Sequence, residues 1–127
     1  MTVTIYHNPR CSKSRTVLAL IRGAGIEPEL VEYLKGGLTR ERLTRLVARM
    51  GVPIRDLLRK TEAPYRDLNL KDLKHTEDAL IGFVVEHPIL LNRPIVDAPK
   101  GARLCRPEDI VLDLIDSAAQ QAPSLQS

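Results

Sequence analysis

Cys11 is the residue of this sequence best suited to chemistry, because of what stands around it. It closes the stretch Tyr6-His7-Asn8-Pro9-Arg10-Cys11, in which Asn-Pro marks a turn after a β-prone run, and a helical period begins directly behind it. A thiol at a helix start meets unpaired backbone N–H groups and the positive end of the helix dipole, which favour a thiolate and also attract an anion. Ser12 and Ser14 add hydroxyl donors, and Arg10 and Arg15 add charge. His7 and Asn8 are supporting candidates, His7 as a hydrogen-bonding partner. A lone small cysteine can also be a buried filler; the turn, the donors and the helix start together favour the nucleophile.

The spacing excludes several chemistries. A dithiol redox site needs C-x-x-C, but the sequence reads Cys11-Ser12-Lys13-Ser14. A phosphatase-type loop needs C-x5-R, and Val17 stands six residues after Cys11. His7, His75 and His87 lack a ligand spacing, so no metal is expected, and the latter two read as surface or cap residues. Cys11 and Cys105 are too few for a disulfide framework, and Cys105 falls in an expected strand.

A chain of 127 residues suits one compact domain. With 43% apolar but only 3% aromatic residues, its core must be built from Leu, Ile, Val and Ala. The net charge is +3, and 13 of the 19 cations are arginine, whose flat, always-charged fork suits oxyanions; a codon bias towards arginine would give the same count. Nucleic acid is not an expected partner, since three Tyr, one Phe and no Trp leave little to stack bases on. No apolar run approaches the roughly 20 residues of a membrane span. The amino terminus turns polar by His7 to Arg10, unlike a secretory signal, so a cytoplasmic address is expected.

The elements that must position Cys11 follow from pattern. A strand is expected over Thr2 to Tyr6, a helix from Cys11 through Val17, Leu18 and Ile21 to Gly23, and a second strand over Glu29 to Tyr33. Thr39 caps an amphipathic helix with Leu43, Leu46, Val47 and Met50 on one face, ended by Gly51. Ile54 to Lys60 reads as one short helix, with an irregular segment around Pro64. A further helix begins near Thr76, with Glu77 and Asp78 in its first turn, and stops before Pro88. Ile95 to Ala98 and Ala102 to Cys105 make a hairpin around Pro99-Lys100-Gly101. Pro107 opens the last helix as its first residue, with Ile110, Val111, Leu114 and Ile115 inward. The order is an α/β, thioredoxin-like β-α-β…β-β-α mixed sheet with a helical insertion over about 39–87, one domain over 1–116. Residues 117–127 lack periodicity and are expected to be a disordered tail.

Tyr6-His7-Asn8-Pro9-Arg10-Cys11-Ser12-Lys13-Ser14-Arg15 resembles the signature of the glutaredoxin-coupled, glutathione-dependent arsenate reductase family, typified by the plasmid-borne bacterial enzyme. The similarity continues through Leu57-Leu58-Arg59-Lys60, through the run from His87-Pro88 to Arg93-Pro94-Ile95-Val96, and through Arg103-Leu104-Cys105-Arg106-Pro107, reaching about Ile115. In that family one cysteine attacks arsenate and three arginines hold the oxyanion, positions that match Cys11, Arg59, Arg93 and Arg106. The family's cis-proline matches Pro94. Redox-sensing transcription regulators share the N-P-x-C start but carry C-x-x-C, which Ser14 rules out, and other relatives lack part of the arginine set kept here. The chain departs from the plasmid enzyme in reading Ser-Lys after the cysteine.

The resemblance implies arsenate as substrate, glutathione as co-substrate, glutaredoxin as partner and no bound cofactor. The residue types agree, since guanidiniums offset the repulsion between a thiolate and an anionic substrate. Arg59 is the least certain member by pattern, lying in an expected basic helix with Arg55 and Lys60. Two other classes fit the cysteine without the arginines: a glutathione-dependent thiol transferase, and a redox-regulatory binding module without turnover.

Overall fold

The computed structural model describes residues 2–115, so the expected disordered tail over 117–127 lies outside the described residues. Strand β1 (Thr4–Tyr6) is followed by helix α1 (Ser12–Gly23) and strand β2 (Glu29–Val31), which pairs parallel to β1 with Ile5 opposite Leu30. Strand β3 (Ile95–Ala98) lies antiparallel on the other side of β1, and β4 (Gly101–Leu104) pairs with β3 as a hairpin. The order β2-β1-β3-β4 is the mixed, thioredoxin-like sheet expected from the sequence.

The described residues divide into two compact units, one of residues 2–32 and 93–115 and one of residues 33–92. The first holds the sheet. Its core joins Val3 and Ile5 of the first β segment, Val17 and Ile21 of α1, Val96 and Ala98 of β3, and Cys105, Val111, Leu114 and Ile115 beyond β4. Val17 and Ile21 stand four apart on α1, so one helical face lies on the sheet, with Leu18 and Leu20 partly buried at its margins and Ala19 exposed.

The second unit is helical: α2 (Arg40–Met50), α3 (Ala63–Asp67) and α4 (Glu77–Glu86) with short 3-10 turns between them. Thr39 caps α2 by accepting from the Arg42 N–H, and Gly51 ends it in the left-handed conformation at φ 69°, as the sequence predicts. Thr76 caps α4 in the same way through Ala79. Such caps contribute about 1 kcal/mol each.

Some expectations are corrected. The second strand stops at Val31, and Tyr33–Lys35 is a 3-10 turn. The segment from Ile54 is helical only to Leu57; Leu58 is extended and bridges antiparallel to Leu91, so Arg59 does not lie on a basic helix. The region of Pro64 is not irregular but forms α3, where a proline in the first turn has no hydrogen bond to lose. Strand β4 begins at Gly101 and ends before Cys105. The last helix is a 3-10 helix over Glu108–Asp113 with Pro107 as its cap rather than its first residue, and Ile110 is only half-buried.

Candidate active site

The turn between β1 and α1 is held by its own polar groups. The Cys11 N–H donates to the Asn8 carbonyl at 3.0 Å, closing the turn, and the Arg10 N–H donates to the Asn8 side-chain oxygen at 3.0 Å. Beneath it Ser14 is completely buried: its hydroxyl accepts from the Asn8 N–H at 3.1 Å and lies 2.7 Å from His7 Nδ1. His7 is buried too, and burial lowers its pKa, which keeps the ring neutral. A neutral ring fits this contact either by accepting the Ser14 proton at Nδ1 or by donating Nδ1–H to the second lone pair of the hydroxyl, so the contact holds in both tautomers. Arg15 donates to the Pro9 carbonyl at 2.9 Å. His7, Asn8, Ser14 and Arg15 therefore shape the turn from below, and the Ser14 hydroxyl is committed inward instead of facing an anion.

Cys11 itself is the N-cap of α1 and is 8% exposed. Burial pushes its thiol pKa up, but the backbone N–H of Ser14, the charge and hydrogen bond of Arg93 and the N–H of Lys13 pull it down and prevail, leaving it below its ordinary value. The side chain makes no capping hydrogen bond of ordinary geometry, so the first-turn N–H groups act chiefly as oriented dipoles. Arg106 Nη2 stands 4.0 Å from Sγ, the outer limit of such a contact, while its Nε donates to the Arg93 carbonyl at 2.7 Å. Arg93 leads into Pro94 through a cis peptide bond, the isomer expected at that position; Arg106-Pro107 is cis as well, which nothing in the sequence signals. Two arginines from separate segments thus meet at one sulfur, and Arg93 favours its ionised form.

Arg59 belongs to the helical unit. Its backbone N–H donates to Leu90 O at 2.7 Å and the Asn92 N–H donates to Leu57 O at 2.8 Å, flanking the Leu58–Leu91 bridge. Its guanidinium pairs with Glu62 at 2.5 Å. Neighbouring Arg55 has a structural task, donating to the carbonyls of Leu70 and Asp72 at 2.5 and 3.1 Å. Cys105 is fully buried, and burial pushes its thiol up to about 12. His87 caps α4, as expected, and His75 packs edge-on against Phe83.

The sequence model of the ArsC family matches residues 6–114. This chain belongs to the ArsC family. The arsenate reductase of Escherichia coli K12 is 49% identical over 120 residues, which cover 94% of this chain and 85% of that protein. The arsenate reductase of Rhizobium meliloti strain 1021 is 50% identical over 115 residues, covering 91% and 82%. The solved arsenate reductase from Vibrio cholerae superposes with a TM-score of 0.86 at 43% identity, covering 91% of this chain and 98% of that one. The ArsC-family sheet therefore carries a buried, thiolate-favouring cysteine at the end of β1 where Ile95 and Leu104 also bring the segments of Arg93 and Arg106. Two participants escaped the sequence reading: the Lys13 N–H, and Glu108, which pairs with the Lys13 side chain at 2.8 Å. The helix start at Cys11 implies the first; no sequence signal joins residues 95 positions apart.

Proposed function

We propose that this ArsC-family protein reduces arsenate to arsenite, with Cys11 as the nucleophile and glutathione with glutaredoxin as the source of electrons. The single observation that carries the reading is the convergence of Arg93 and Arg106 on a thiol held below its ordinary pKa. A general thiol transferase needs the thiolate alone; paired guanidiniums beside it suit a tetrahedral oxyanion. Arg59 is assigned to the same anion through the Leu57-Leu58-Arg59-Lys60 resemblance, and would exchange its Glu62 partner for substrate. The identity to proteins named arsenate reductase supports the substrate.

In this reading the Cys11 thiolate forms a bond to arsenic and a protonated oxygen leaves as water. Glutathione displaces a second oxygen, again as water, giving an arsenic bound to both sulfurs. A glutaredoxin thiolate then attacks the glutathione sulfur. The new disulfide forms as the sulfur–arsenic bond breaks, its electron pair stays on arsenic, and As(V) becomes As(III). Hydrolysis frees arsenite and restores Cys11. The arginines lower the cost of bringing a thiolate to an anion and balance charge on the departing oxygen. The test is arsenate-dependent NADPH oxidation with glutathione, glutaredoxin and glutathione reductase supplied. Turnover is expected there and not when thioredoxin and thioredoxin reductase replace that set; turnover only with thioredoxin would contradict the coupling.

A further inference from the structure

The Ser-Lys step after the cysteine, where the chain departs from the plasmid enzyme's signature, places a cation on the first turn of α1 two residues beyond Cys11. Its side chain does not reach towards the sulfur. Lys13 Nζ lies 2.8 Å from Glu108 Oε1, and Glu108 stands two residues beyond Arg106. The same turn carries the cation that approaches Sγ at 4.0 Å. Arg106 is exposed, with many rotamers open to it, and among the described residues its close tether is the 2.7 Å bond from Nε to the Arg93 carbonyl. Below, Val111 and Leu114 share a core with Val17 and Ile21 of α1, which fixes the packing of the 3-10 helix on α1 but not the turn at its outer end. The Lys13–Glu108 pair lies at that end.

We infer that Lys13 and Glu108 are positioning residues, an ion pair that ties the Arg106 turn to the Cys11 helix and keeps the guanidinium over the sulfur. The inference rests on the oxyanion site proposed above. Side-chain exposures of 49% and 28% make the pair a weak source of stability, so its effect should appear in oxyanion affinity and not in unfolding.

Charge alone predicts the opposite sign, which makes Glu108→Gln decisive. Removing a carboxylate near the site raises the local positive charge and would tighten anion binding if position did not matter. Positioning predicts weaker binding. The readout is protection of Cys11 from iodoacetamide by arsenate, which needs no turnover. For Glu108→Gln the half-protecting arsenate concentration should rise about three- to tenfold. Lys13→Gln should behave similarly, the double variant should be no worse than either single one, and Lys13→Arg should stay within about twofold of the parent. The urea midpoint should not move. Equal or tighter protection in Glu108→Gln, or effects that multiply in the double variant, would overturn the pair while leaving the oxyanion site standing. Absence of arsenate protection in the parent would overturn the site and the pair together.

Discussion

At the scale of single residues, two thiols of one chain are driven in opposite directions by their surroundings. Cys11 is pushed up by burial but pulled further down by the first-turn N–H groups of α1 and by Arg93, whereas Cys105 has burial as its dominant influence and is pushed up to about 12. Of the two, Cys11 is the thiol that ionises more readily. Cys11→Ser should therefore abolish arsenate turnover, because an alcohol of high pKa cannot replace the nucleophile, and Cys105→Ala should retain most of it. A Cys105→Ala variant as inactive as Cys11→Ser would require a second protein thiol in the mechanism. The pH dependence has a definite sign: iodoacetamide alkylation of Cys11 should titrate below the roughly 8.5 of a free thiol. Arg93→Ala should move that midpoint up, since it removes a cation that favours the charged form, and bound oxyanion should also move it up. An unmoved midpoint in Arg93→Ala would remove that arginine from the site.

At the scale of elements, the reacting group depends on how β1 passes into α1. Ser14 is the hub, joining the Asn8 N–H and the His7 ring under the turn. Ser14→Ala strands a buried ring and a half-buried N–H, so it should cost on the order of 2 kcal/mol in urea unfolding. It should slow Cys11 alkylation as well if the turn loosens; unchanged stability would show that water or a shifted ring replaces the hydroxyl. Elements with strong local signals were legible in the sequence. Helix α2 announced itself through Thr39, the Leu43, Leu46 and Val47 stripe and Gly51, and the cysteine turn through Asn8-Pro9 ahead of a helical period. The stretch 54–67 was not, because a four-residue 3-10 turn and a five-residue helix are too short to show a period. The inward commitment of Ser14 and the Lys13–Glu108 pair were illegible for another reason: each depends on which surfaces meet in three dimensions. The meeting of Arg93 and Arg106 at Cys11 was reached only through family resemblance, since three short motifs carry no distance between them.

At the scale of the whole molecule, 13 of the 19 cations are guanidinium, and several of them serve structure: Arg15 on a turn carbonyl, Arg22 on Glu27, Arg40 on Asp78, Arg55 on the loop carbonyls. Arg93 and Arg106 are the ones drawn to the sulfur. No described helix is long and apolar enough to cross a membrane. The central claim is that arginines beside a reactive thiol make an oxyanion reductase and not a general thiol enzyme. The most direct measurement is kcat/KM for arsenate in Arg59→Ala, Arg93→Ala and Arg106→Ala, with Cys11 alkylation followed in parallel above its titration midpoint. Each variant should lose about ten- to a hundredfold, the equivalent of a charge-assisted contact of roughly 1.5–3 kcal/mol, while Cys11 stays open to alkylation. Lys replacements should recover only part, since a point charge cannot make the bidentate contact. Arsenate turnover within twofold of the parent in both Arg93→Ala and Arg106→Ala would contradict the account.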